Sequence, residues 1–76
     1  MRYTYQITAD SRPRVLMRVV QVFDQQSMTI SSLELTLLED RVRITLTVDV
    51  DRAHADRVRA KLYNQTDIVD VDLFCD

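Results

Sequence analysis

RVRITLTVDV, Arg41 to Val50, carries the cleanest alternation in the chain. Val42, Ile44, Leu46, Val48 and Val50 share one parity, and Arg41, Arg43, Thr45, Thr47 and Asp49 the other. Period two over ten residues predicts a half-buried strand. Immediately before it, Glu39-Asp40 is a short polar break suited to a hairpin, although it lacks Asn-Gly chemistry. That break pairs the strand with MTISSLELTLL, Met28 to Leu38. There Leu33, Leu35 and Leu37 share a face, while Met28 and Ile30 have the opposite parity. An irregularity near Ser31-Ser32 would bring both sets to one side.

Working outward, Asp51 is placed to cap a helix over about Arg52 to Asn64, with Ala55, Val58 and Leu62 as its buried stripe. DIVDVDLFC, Asp67 to Cys75, alternates again, with Val69, Val71, Leu73 and Cys75 facing in. At the other end, Tyr3, Tyr5, Ile7 and Ala9 alternate with Arg2, Thr4, Gln6 and Thr8. The period then changes: Leu16, Val19, Val20 and Phe23 recur at helical spacing, widened by Val15 and Val22. Pro13 suits a first helical turn, so the helix is expected to run from about Pro13 to Gln26.

The order is strand, helix, strand, strand, helix, strand. This predicts an α+β protein, a ferredoxin-like βαββαβ sandwich forming one domain over residues 1–76. Right-handed crossovers put both helices on one face of a four-stranded antiparallel sheet of order 4-1-3-2. Strands 2 and 4 are then the edges. Asp67, Asp70, Asp72 and Asp76 stud the fourth strand and discourage further pairing. Strand 2 is longer and more apolar, so a side-by-side homodimer through strand 2 and the first helix is expected.

Composition supports a folded chain: 46% of the 76 residues are apolar and 29% charged. A domain this small buries only about 60% of its unfolded surface, and association is a common remedy. The formal net charge of −2 gives no electrostatic reason to bind nucleic acid or an anionic membrane. No apolar run approaches the roughly 18 residues needed to span a bilayer. The first ten residues read as a strand rather than a signal peptide, and the single cysteine, Cys75, supports no disulfide. A cytoplasmic protein is expected.

Several chemistries that use this architecture are missing their signatures. RNA-binding sheets display aromatics on the open face of strands 1 and 3. Here those positions hold Arg2, Thr4, Gln6, Arg43, Thr45 and Thr47. A Cys-x-x-Cys metal loop needs two cysteines. A phosphate cradle needs glycine, of which the chain has none. The same absence argues against tight left-handed turns. His54, flanked by Ala53 and Ala55 on a charged helix, reads as solvated, with no nucleophile or cleft beside it. Asp70 and Asp72 read as cross-strand partners of Arg2 and Arg43, and Cys75 as a small apolar filler. No catalytic residue, metal site or cofactor site is expected.

The loop ADSRPRV, Ala9 to Val15, lies where strand 1 passes to the first helix. Arg12 and Arg14 beside the positive end of the helix oppose its dipole by a few tenths of a kcal/mol each. They read either as solvated arginines or as a local cationic patch for a carboxylate. A carboxylate on a partner protein suits the loop better than a free amino acid, because Pro13 has no N–H to offer.

Leu16, Arg18, Val19 and Phe23, then Thr29-Ile30-Ser31-Ser32-Leu33, and finally Ile68-Val69-Asp70-Val71 together resemble the ACT domain family. Among its members the chain looks most like the small regulatory subunit of acetohydroxyacid synthase (acetolactate synthase), of the short isozyme II type. The resemblance implies a non-catalytic subunit that binds and activates the large subunit of that synthase. Thiamine diphosphate, magnesium and flavin would belong to the partner. Valine-sensing members place an Asn and a Gly in the first loop and an Asn at the start of strand 2. This chain has Ser11 and Arg14 in the loop and Thr29 on the strand, and Ser27 stands at the family's glycine after the first helix. The candidate effector- or partner-binding residues are therefore Ser11, Arg12, Pro13, Arg14, Thr29 and Ile30. The alternative is a free-standing sensor that holds a small amino acid at its dimer interface, with Ser11, Arg12 and Thr29 touching it.

Overall fold

Tyr3, Tyr5, Ile7 and Ala9 are buried on one side of the first strand, and Val42, Ile44, Leu46 and Val48 on the same side of its neighbour. The two predicted alternations are thus the inner face of one sheet. The computed structural model describes residues 1–75: β1 (Arg2–Asp10), α1 (Val15–Gln25), β2 (Ile30–Leu37), β3 (Arg41–Asp49), α2 (Arg52–Tyr63) and β4 (Ile68–Cys75). The strands pair antiparallel in the order β2-β3-β1-β4. Both the element order and the strand order are those read from the sequence. Asp76, counted above among the charges of the last strand, lies outside the described residues.

Both helices pack on the inner face. Val15, Val19, Val22 and Phe23 of α1 and Ala55, Val58 and Leu62 of α2 are buried against it. Full burial of a side chain such as Leu62 contributes about 1.5–3 kcal/mol. Tyr5 joins the layers. Its ring meets Phe23 edge-on at 5.0 Å between centroids, and its hydroxyl donates to the Ala55 carbonyl at 2.7 Å. Burial pushes the Tyr5 phenol far above its ordinary value of 10, with the Asp56 charge adding to the rise.

Asp51 caps α2 as expected, its carboxylate accepting from the His54 backbone N–H at 2.7 Å. α1 departs from expectation. It starts at Val15 rather than about Pro13, because Arg12 to Val15 form a turn with Val15 N–H donating to the Arg12 carbonyl at 3.3 Å. Proline at the second position and a left-handed residue at the third make the arrangement of a type II turn. The left-handed residue is Arg14, with φ 68° and ψ 9°.

The far end of α1 is also left-handed, at Ser27 with φ 57°. Ser27 N–H donates to the Asp24 carbonyl at 3.0 Å and Met28 N–H to the Phe23 carbonyl at 3.1 Å. This is the Schellman closure, with serine where glycine is usual. Absence of glycine did not prevent left-handed turns. Two residues bear the steric cost instead, about 1–2 kcal/mol each.

The irregularity expected in β2 is present. Pairing shifts between Ile30, opposite Val48, and Ser32, opposite Thr47, and the Ser31 hydroxyl donates to the Thr47 carbonyl at 2.9 Å. A second irregularity was not expected. Ile68 lies opposite Ala9 but Asp70 opposite Thr8, so Val69 is an extra residue in β4 and is exposed rather than facing in. Cys75 is exposed opposite Tyr3 rather than filling the core. Asp70 and Asp72 oppose Thr8 and Gln6, not Arg2 and Arg43.

Candidate functional site

Loop residues 11–14 follow β1 at the end of the sheet where Asp10 opposes Arg41. Backbone bonds pin the loop there: Ser11 N–H donates to the Asp40 carbonyl at 3.1 Å, Arg12 N–H to Asp10 at 2.9 Å, and Asp10 N–H to Asp67 at 2.8 Å. The loop thus joins the β2–β3 hairpin to the turn before β4.

The two arginines of the loop differ. The Arg12 guanidinium lies 3.4 Å from one carboxylate oxygen of Asp67, and Arg18, one turn into α1, donates to the other. Asp67 is the one charged residue buried among the described residues. Its carboxylate lies beside the start of α1, so Arg12 already has the partner that the sequence left open. Arg18 also reaches the Pro13 carbonyl at 3.4 Å. Arg14 is exposed and, among the described residues, its guanidinium forms no ion pair.

Asp67 and Arg18 as a pair escaped sequence reading. Asp67 reads as one more charge on an acidic edge strand. The available signal was its place one residue before the apolar run, where a solvated carboxylate has no role.

Thr29 and Ile30 sit elsewhere. Ile30 opposes Val48, which opposes Tyr3, whereas Leu37 opposes Val42, which opposes Ala9 beside the loop. Six residues of β1 separate these rows, roughly 20 Å at the rise of a strand. Within one chain, Ser11, Arg12, Pro13 and Arg14 come together, and Thr29 and Ile30 do not join them.

Next to Ile30 lies a groove of about 560 Å³ between α1 and β2, lined by Met17, Val20, Gln21, Asp24, Met28 and Ile30. Beside it, Leu33, Leu35 and Leu37 oppose Leu46, Ile44 and Val42 and so face the helix layer, yet all three are exposed, as is Met17. The inner faces of β1 and β3 are buried, whereas most of that of β2 is left exposed. An apolar strip on an unpaired edge, continuous with an apolar groove, has the character of an interaction surface.

Among the described residues no cluster of three or more His, Cys, Asp or Glu could hold a metal ion, and no helix is long and apolar enough to cross a membrane.

The sequence pattern of the ACT domain matches residues 2–72. The chain belongs to the ACT domain family. ACT domains are regulatory rather than catalytic, and they commonly dimerise and bind amino acids. Solved structures carry the same fold at low identity. The ACT domain from GTP pyrophosphokinase of Chlorobium tepidum superposes with a TM-score of 0.87 at 12% identity, over 97% of this chain and 97% of that one. The acetolactate synthase small subunit from Thermotoga maritima gives 0.85 at 17% identity, over 96% of this chain but 47% of that one. The regulatory subunit of aspartate kinase from Thermus thermophilus gives 0.76 at 16%, over 99% and 50%. No curated protein sequence matches the chain.

Arg14 and Ser27 are the two residues with left-handed backbone among those described.

Proposed function

We propose that this ACT domain is a non-catalytic regulatory subunit that binds and activates the thiamine-diphosphate-dependent acetohydroxyacid synthase large subunit, in the cytoplasm. The observation that carries the reading is Arg14, a left-handed residue with an exposed guanidinium, at the place where the resemblance puts the glycine of valine-sensing members. It converts a ligand loop into a docking loop, with a cation held out toward a carboxylate on a partner protein. The matches at Leu16, Arg18, Val19 and Phe23 and at Thr29 to Leu33 support the same reading.

The functional unit is a homodimer joined through β2 and α1. Antiparallel pairing of β2 with its copy sets Ile30 of one protomer beside the Leu37 end of the other. That end adjoins the Ser11 to Arg14 loop, through the bond from Ser11 to Asp40. All six candidate residues then form one composite site at each end of the interface. The α1–β2 groove and the leucines of β2 supply the apolar surface that such an interface buries.

A second reading is a free-standing amino-acid sensor using the same composite site. The left-handed backbone at Arg14 favours it, with Ser11 and Thr29 placed to reach an amino acid in the composite site. Two measurements separate the readings. Co-elution with purified large subunit in size-exclusion chromatography is expected under the first. A rise in melting temperature with millimolar valine, leucine or isoleucine, and no co-elution, is expected under the second.

A further inference from the structure

The two edges of the sheet are not equivalent. In an antiparallel ladder, alternate residues of an edge strand turn both backbone groups away from the sheet. On β4 those groups are expected to await a further strand. At Val71, opposite Ile7, the place is already filled. The Tyr63 hydroxyl, on the last residue of α2, accepts from the Val71 N–H at 3.2 Å and lies 3.1 Å from the Val71 carbonyl. Asp70 Oδ1, at 3.0 Å, is a second acceptor for the same proton. One hydroxyl thus makes the two contacts that a residue of an added strand would make, because it can donate and accept at once.

The ring is held in place. It lies at the start of the turn to β4, with the Arg59 guanidinium 6.0 Å from its centroid one helical turn back. Val69, the extra residue two positions before Val71, breaks the regular spacing of the same edge, and Asp70 and Asp72 charge it. Among the described residues, no side chain makes hydrogen bonds of this kind on the outer edge of β2.

We propose that Tyr63 closes the β4 edge to strand addition, so that a second copy of this chain is admitted at β2 alone. The choice of β2 rests on the dimer reading above; closure of β4 does not. Two open edges, each pairing with its like, would build a sheet that runs on without end. One closed edge makes assembly stop at two.

The first test needs no substitution. Val71 and Leu73 have the same parity and the same outward direction, but only Val71 meets the tyrosine. Amide hydrogen exchange in the intact chain is expected to be slower at Val71 than at Leu73 by about tenfold or more. Equal rates would overturn the closure. The second test is sedimentation over a wide concentration range of the wild type, Tyr63→Phe and Tyr63→Ala. The wild type is expected to show nothing beyond a dimer. Tyr63→Phe, which keeps the ring and loses the hydroxyl, is expected to form larger species as concentration rises, and Tyr63→Ala more so. Variants that remain folded and match the wild type in size overturn the proposal. A monomeric wild type with associating variants would sink the dimer reading and leave the closure standing.

Discussion

The carboxylate of Asp67, in the turn before β4, is held by Arg18 of α1 across 49 residues of sequence, and Arg12 approaches its other oxygen at 3.4 Å. The carboxylate is nearly buried, whereas the Arg18 side chain is 45% exposed and that of Arg12 65%. Removing a cation therefore matters most where it leaves the buried anion poorly solvated. Arg18→Ala is expected to cost about 1–2 kcal/mol in urea unfolding, after allowance for screening at a half-exposed guanidinium. Arg12→Ala is expected to cost about 0.5 kcal/mol or less. Equal costs would show that the pair does not hold the loop as described.

The two left-handed residues should be improvable. Ser27→Gly relieves a steric cost of about 1–2 kcal/mol and adds some unfolded-state entropy, for a net gain of about 0.5–1 kcal/mol. The gain is read as a higher urea midpoint with unchanged slope. Arg14→Gly should stabilise similarly while abolishing activation of the large subunit. A variant that is more stable and less active separates the fold of the loop from its use.

Alkaline stability reports on the buried phenols. The folded pKa of Tyr5 is raised, as is that of Tyr3, chiefly by burial in both cases. Above pH 10 the unfolded chain loses these protons while the folded chain keeps them, so the folded state binds more protons and stability falls as pH rises. Below pH 10 both states are protonated and the contribution is constant. The proton retained at Tyr5 steepens the fall by about 1.4 kcal/mol per pH unit. Tyr5→Phe is expected to cost about 1 kcal/mol at pH 7, through the lost bond to Ala55, and to flatten the alkaline limb. An unchanged limb would contradict the assignment.

Self-association should depend on residues that the isolated fold does not need. Leu37 is 72% exposed and Met17 67% exposed. Leu37→Asp and Met17→Asp are each expected to change unfolding free energy by no more than about 0.5 kcal/mol per protomer. Each should weaken the dimer by about 2 kcal/mol, roughly 30-fold in Kd. Sedimentation profiles that do not move would place the interface elsewhere.

What could be read beforehand follows from the range of the interactions. The alternation of Val42 to Val50 placed β3, and the parity conflict between Ile30 and Leu33 located the bulge in β2, since one face of a sheet tolerates only one parity. The β4 bulge left no such conflict, because Ile68 and Val69 are both apolar and either could face in. Arg14 and Ser27 are not legible in the sequence, because a missing glycine does not mean a missing conformation. At Ser27 the backbone bonds donated by Ser27 and Met28 to the Asp24 and Phe23 carbonyls hold the left-handed state without one. The partner of Arg12 lay far away in sequence, and no local pattern announces a contact between Arg18 and Asp67. The candidate residues themselves were named from the loop and the strand start, but one chain keeps those two places apart.

The most direct test is a titration of this protein into purified acetohydroxyacid synthase large subunit from the same organism, following acetolactate formation. A saturable rise in rate, lost with Arg14→Glu but retained with Tyr63→Phe at concentrations where that variant is still dimeric, is the predicted result. No change in rate together with no co-elution would contradict the regulatory-subunit account and leave the free-standing sensor in its place.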